Sequence, residues 1–434
     1  MNAMKTTLLF TLAWLCSLSL QAQVYLEEQN QHRFAQTHVG LHYRYQPEGG
    51  KIFWQGADGL ESGTFPAFGT PQISIGGLHF WGHLNFVMHF DLPVSGAQGI
   101  APNTKIKRQQ FADLGAHFYP WRMEFGKLRP FIGGTYIGHN LTYEQNGRDR
   151  TDGWLTFYPE AGLSFGSRNW QATLKATYFL SPEKGFYVDS RTPVSLELPP
   201  WQISLGLSRY FDTTLREEPG IKDGSTYALE EQLQSAGKLN SLSVGIGASS
   251  GIFLRRPAFE DFVRQSLPEH KTALNLDFGL GYLFHRSGVH VGVAYRDYDS
   301  RVGSFGYQQI LRRRSVALEG YKFLLDYNGF VPFLGLSLSY DRWAMGDFEG
   351  NIQVGEVART EGIQPGLILG WDILPSPLET WVLRTNLRYY PNLEINSVAG
   401  GKARVDQLEF NFIQLVFYPQ RMYHVGKTKR HAKK

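Results

Sequence analysis

The stretch LNLDFGLGYLF, residues 274–284, decides the fold class. Leu274, Leu276, Phe278, Leu280 and Tyr282 share one parity, and Asn275, Asp277, Gly279 and Gly281 share the other. Successive side chains of an extended chain point to opposite faces, so this is a strand with one oily face and one wet or small face. About ten residues of this kind, ending in aromatics, form the pattern of a strand that crosses a membrane with lipid outside and a polar interior. The pattern recurs about sixteen times, which predicts an all-β, antiparallel up-and-down transmembrane β-barrel.

Composition agrees. The 434 residues include 47 glycines and 14% aromatics, and the mean hydropathy is -0.28. That hydropathy excludes a bundle of membrane helices, whereas half of every barrel strand is polar and aromatics gather at both interfaces. A formal charge of +4 gives no argument for nucleic acid. Lys5, the apolar run Thr6 to Leu20 and the small residue Ala22 predict a cleaved signal peptide over 1–22. The expected address is therefore the outer membrane of a Gram-negative-type envelope. The only cysteine, Cys16, lies inside that segment behind Leu15, so lipidation, structural disulfides and thiolate metal sites are not expected.

Strands are predicted near 34–45, 71–81, 83–92, 109–119, 129–143, 154–166, 169–180 and 201–210. A second set is predicted near 240–254, 272–284, 288–296, 314–325, 331–341, 363–373, 380–390 and 405–417. Tight links such as GSRN and HRSG alternate with long Gly-rich ones such as KIFWQGADGLESGTFPAFG. That alternation suits short periplasmic turns and long extracellular loops. LRPFIGGTYIGHN at 128–140 matches FVPFLGLSLSYDR at 330–342, with Pro130 over Pro332 and Gly133 over Gly335. Each is the fifth predicted strand of its half, so an eight-stranded unit reads as duplicated. The organisation expected is a first repeat at 23–210, a periplasmic linker with a short helix at 211–238, a second repeat at 239–418 and a basic tail at 419–434.

With its apolar leader, its RPFIGG and VPFLGL strand openings and its eight-strand unit, the chain resembles the bacterial outer-membrane β-barrel superfamily. Within it, the OmpA-like and OmpW-like small barrels are the most similar. The resemblance implies a fold and an address, not an activity. It departs at the C-terminus, because such barrels end on the aromatic of their last strand, whereas here residues follow Phe417.

Strand alternation permits two closures. The light inward residues Ser164, Gly279, Gly281, Gly366 and Gly370 favour one barrel of about sixteen strands with an aqueous lumen. The long linker favours the alternative, two tandem eight-stranded barrels.

Strand phase predicts which charges line the interior: Asp91, Asp113, Glu160, Lys175, Asp277, Arg384 and Arg388. A charge in the lipid plane costs about 2–4 kcal/mol, so the interior is the cheaper place. His38, His79, His83 and His117 are read as one periplasmic rim and as candidate metal ligands, since imidazole suits zinc, copper and nickel. Arg312, Arg313 and Arg314 are read as an outer rim facing anionic head groups, and the long loops carry aromatics suited to binding a partner. No complete nucleophile, base and acid set is found, so no enzymatic activity is expected, and no cofactor.

The function expected from sequence is a passive pore for small hydrophilic solutes in contact with outer-membrane lipids. The alternative is a non-conducting structural or interaction component that meets other envelope proteins through its extracellular loops. A metal-binding or lipid-modifying barrel using the first-half histidines is the third reading.

Overall fold

The computed structural model describes residues 36–432, except 93–95, 125, 168, 181, 213–223, 255–265, 269, 271, 327–329, 375–377, 379 and 399–400. The leader expected over 1–22 lies outside the described residues. The first half carries β1 (Gln36–Gln46), β2 (Gly49–Gly56), β3 (Gly59–Phe65), β4 (Phe68–His79), β5 (Leu84–Asp91), β6 (Gln98–Ala101) and β7 (Thr104–Phe118). It continues with β8 (Leu128–Gln145), β9 (Arg148–Gly166), β10 (Trp170–Tyr178), β11 (Glu183–Tyr187), β12 (Pro193–Glu197) and β13 (Trp201–Asp212). Helix α1 (Gly224–Ser235) stands in the linker, where the sequence predicts one.

The second half carries β14 (Ser241–Phe253), β15 (Thr272–Phe284), β16 (Val289–Ser304), β17 (Tyr307–Phe323), β18 (Phe330–Glu349), β19 (Ile352–Ile373), β20 (Trp381–Asn396) and β21 (Lys402–Phe417). Helix α2 (Pro419–Ala432) follows, in residues read from sequence as a basic tail. Every predicted crossing strand is present. Several run further outward than expected: β19 begins at Ile352 rather than near 363. Beyond the membrane both faces of a hairpin are wet, so the apolar alternation stops while the ladder goes on.

Pairing decides the closure. β1 pairs with β4 on one side and with β13 on the other, through Leu41↔Ile73 and Leu41↔Leu207. The circuit β1-β4-β5-β7-β8-β9-β10-β13 is therefore complete, and we call it barrel one. β14 pairs with β15 and with β21, completing barrel two from β14 to β21. The chain forms two tandem eight-stranded barrels, which corrects the preference for a single large one.

Most of the light inward residues mislead because they make room for rings rather than for water; Gly279 alone of the five borders a cavity without a ring against it. A Cβ on Gly281 would lie 2.3 Å from the His290 ring, and one on Gly366 2.6 Å from Tyr390. Ser164 takes a hydrogen bond of 2.9 Å with the Tyr119 hydroxyl. The matching segments fall on β8 and β18, the fifth strand of each circuit, and carry the same device. Phe131 pairs with Gly162 and Phe333 with Gly370, each ring lying where a Cβ of its glycine would be. Each ring also meets the ring of the fourth strand, His117 and Tyr321 respectively, with centroids 4.4 Å apart.

Outward residues form the lipid-facing surface: Leu276, Phe278 and Leu280 on β15 and Leu334, Leu336 and Leu338 on β18 are all exposed. Among the described residues no helix is long and apolar enough to cross a membrane. The barrels touch at both ends. Thr151 and Arg150 of β9 pair with Gly303 and Ser304 of β16 on the loop side. At the turn side Phe80 meets Phe330 and Phe86 meets Trp371.

The long loops of barrel one are not loose. β11, β12, β2 and β3 form a four-stranded sheet whose Ile52, Phe65, Phe186 and Leu196 pack on Ile137, Leu141, Tyr143 and Trp154 of the barrel. This sheet caps barrel one. Trp343, read as an exposed loop aromatic, is buried with Tyr298, Leu311 and Tyr390 in the outer end of barrel two.

Candidate functional site

The interiors hold the chemistry, so the site is built from inward parities. In barrel one, Lys175 on β10 donates to Glu160 Oε1 at 2.8 Å and lies 3.8 Å from Asp113. Glu160 also takes Thr177 Oγ1 at 2.8 Å and His117 Nε2 at 2.9 Å, and Asp113 takes Thr135 Oγ1. Nearer the cap, Arg44 donates to Asp91 at 2.9 Å, with Gln72 on the other carboxylate oxygen.

Barrel two is built the same way with arginines. Arg388 donates to Asp277 at 2.7 Å and pairs with Glu319; Arg296 joins Glu319, Asp277 and Glu409. Arg384 grips Asp372 through two bonds of 2.6 and 2.7 Å and reaches the Tyr321 hydroxyl. Arg313 grips Asp341 and Glu409 beneath Trp343. Buried charges are tolerated when paired, and each charge in these networks has an opposite charge beside it, although single atoms such as Arg44 Nη1 and Arg296 Nε carry no hydrogen bond.

All seven predicted lining charges, Asp91, Asp113, Glu160, Lys175, Asp277, Arg384 and Arg388, point inward. They are bonded to one another or to other inward groups instead of facing an open lumen. Two interior cavities among the described residues measure about 30 Å³ in barrel two and about 20 Å³ in barrel one. A single water needs about 10–15 Å³ on this measure, so each of these two has room for a water or two. Arg44, Arg296, Arg313, Asp341, Asp372 and Glu409 are inward as well, as their parity opposite to oily neighbours such as Leu41, Tyr43, Val293 and Tyr295 marks them; Arg108, between Lys107 and Gln109, carries no such signal.

The four candidate metal ligands do not converge. His38 donates through Nε2 to Asn85 Oδ1 at 2.7 Å, and His117 is held by Glu160. His79 lies on the outer face of β4 against Phe86, the parity that exposed Ile73 already gives it. His83 sits on the following turn, its Nδ1 2.9 Å from the Tyr119 carbonyl oxygen. Among the described residues no group of three or more His, Cys, Asp or Glu could hold a metal ion.

The arginine run divides by parity too. Arg312 and Arg314 are exposed and pair with Asp299 and Asp297, while Arg313 belongs to the interior. Outside the spanning segments, burial pushes His270 down to about 4 while its ring bridges Ser300 and Gln309. Burial and then the neighbouring Arg421 push His285 to about 4 as well.

No family model matches the chain, and no curated protein matches it. Among solved structures it is similar to neisserial surface protein A, at 15% identity and a TM-score of 0.31, over 41% of this chain and 98% of that one. It is similar to the outer membrane protein OprG from Pseudomonas aeruginosa at 13% identity and a TM-score of 0.27, over 41% and 96%. The COG4313 outer membrane channel from Pseudomonas putida F1 covers 88% of this chain and 95% of its own, at 8% identity and a TM-score of 0.20. Closed antiparallel circuits with polar cores and oily outer faces have one natural solvent, a bilayer. The described strands therefore form two closed β-barrels of the membrane-spanning type.

Proposed function

We propose that this protein is a non-conducting outer-membrane component that presents an extracellular surface to another envelope protein. The observation that carries this reading is the filling of both interiors by paired charges and stacked rings, with no cavity above about 30 Å³ among those described. On this reading small hydrophilic solutes do not cross either barrel. The cap sheet and the tall hairpins of barrel two are then the parts with a task. From Ile352 to Gly366, β19 has ladder partners on β18 alone, and its other edge is met in part by Asn396, which donates to the Arg359 carbonyl at 2.7 Å. Such an edge accepts an added strand from a partner. No catalytic step enters this reading.

Liposome swelling tests it. Vesicles carrying the folded protein should swell in small sugars no faster than protein-free vesicles. Faster swelling would restore the pore.

A further inference from the structure

Arg108 on β7 is buried beneath the cap sheet. Its Nη1 donates to Gln46 Oε1 at 2.8 Å and its Nη2 to the Pro66 carbonyl at 2.7 Å, both neutral acceptors. Its guanidinium lies 4.7 Å from the centre of the Phe68 ring and 5.4 Å from that of Phe65. The inward carboxylates of barrel one are engaged elsewhere. Asp91 belongs to Arg44, Asp113 and Glu160 surround Lys175, and Asp152 holds Arg150. Among the described residues no carboxylate pairs with Arg108. A buried charge without a counter-charge is strongly destabilising, so something must neutralise it.

A second observation gives the neutralising group a place. The cavity of about 20 Å³ in barrel one is lined by Arg44, Arg108, His139, Asn140 and Trp154 among others. On those residues the buried atoms Arg44 Nη1, Arg108 Nε and Trp154 Nε1 have no hydrogen-bond partner among the described residues, and neither has one acceptor, Oε1 of Gln110, which lines the same cavity. The first three are donors that cannot accept, so donors outnumber the acceptor. His139 Nε2 is likewise unpartnered, and its ring stacks on Trp154 at 5.1 Å. An excess of donors around an uncompensated cation favours an acceptor carrying negative charge. The volume suits an occupant the size of one or two waters.

We propose that barrel one holds a buried monovalent anion of the halide class, bound by Arg108 with Arg44 and Trp154 as further donors. The cap closes the site from above through Ile52, Phe65 and Leu198, so the ion enters as the cap folds and exchanges only when it opens.

The full chain is refolded into vesicles at one ionic strength in bromide, chloride or gluconate, and its urea midpoint is measured. The midpoint should be higher in either halide than in gluconate, and Arg108→Met should remove the difference. Trp154→Phe, which keeps the ring and deletes one donor, should shrink it, and this arm stands even if Arg108→Met does not fold. Crystals grown in bromide should give an anomalous peak against Arg108 and Trp154 Nε1. Equal midpoints in halide and gluconate, or a halide effect that survives in either variant unchanged, overturn the site. A bromide peak elsewhere only, an adventitious ion, overturns it as well.

Discussion

Lys175→Met is expected to weaken barrel one and leave barrel two unchanged. The substitution keeps the length of the side chain and removes the one cation that Glu160 and Asp113 share. At an effective dielectric of about 20, the two attractions at 2.8 and 3.8 Å amount to roughly 6 and 4 kcal/mol before solvation is counted. Removing the ammonium also relieves its own burial, so the net cost falls to about 3–5 kcal/mol, the range for breaking a buried pair. Much of that cost is repulsion between two carboxylates left in one layer. Lys175→Met combined with Glu160→Gln should therefore be more stable than Lys175→Met alone, by about 1–3 kcal/mol. The assay is urea unfolding in vesicles, followed by tryptophan fluorescence and by the gel shift of the heated and unheated protein. The barrels close separately, so the variant should move one transition. A double variant no better than the single one, or a loss below about 1 kcal/mol, would refute the reasoning.

Three further outcomes follow from the geometry. His270 titrates near 6.5 when unfolded and at about 4 when folded, so the unfolded chain binds the extra proton between those values. Stability should fall as pH drops from 6.5 to 4, by up to about 3 kcal/mol, and His270→Gln should flatten that part of the urea-midpoint profile; identical profiles would contradict it. Gly162→Ala and Gly370→Ala would put a Cβ 2.5 and 2.4 Å from the rings of Phe131 and Phe333, and each should cost its own barrel about 1–3 kcal/mol on unfolding. Arg421, buried under barrel two, donates to the Leu239 carbonyl at 3.0 Å and lies over the Tyr418 ring; Arg421→Met should free helix α2 to protease while the barrel keeps its gel shift. An uncut helix would show that Val425 and its leucine neighbours suffice.

Much of the fold is legible in the sequence, because lipid on one side and packed polar groups on the other imprint a period of two on every crossing strand. Parity also places the seven interior charges, and it corrects two readings: His79 shares the parity of Ile73, and Arg313 opposes Val316 and Leu318. Closure is not legible in this way. Sixteen alternating strands satisfy either circuit, and most of the small residues that suggest an open lumen hold rings such as Tyr390 and His290. The cap was hidden for a different reason. Ile52 and Phe65 are brought onto Trp154 by tertiary packing across a hundred residues of chain, in a stretch whose glycines read as loop. The candidate anion site is the least legible of all, because its argument rests on what Arg108 does not meet.

The central claim is that each half closes on itself, and paired cysteines test it most directly. Cys16 is the only native cysteine, so a Cys16→Ser background carries the pairs cleanly. Leu41→Cys with Leu207→Cys joins β1 to β13, and Ile246→Cys with Leu415→Cys joins β14 to β21. Both pairs should form disulfides on oxidation of the folded protein in membranes. One barrel of sixteen strands would instead seat β13 against β14 and β1 against β21, and would leave both pairs reduced.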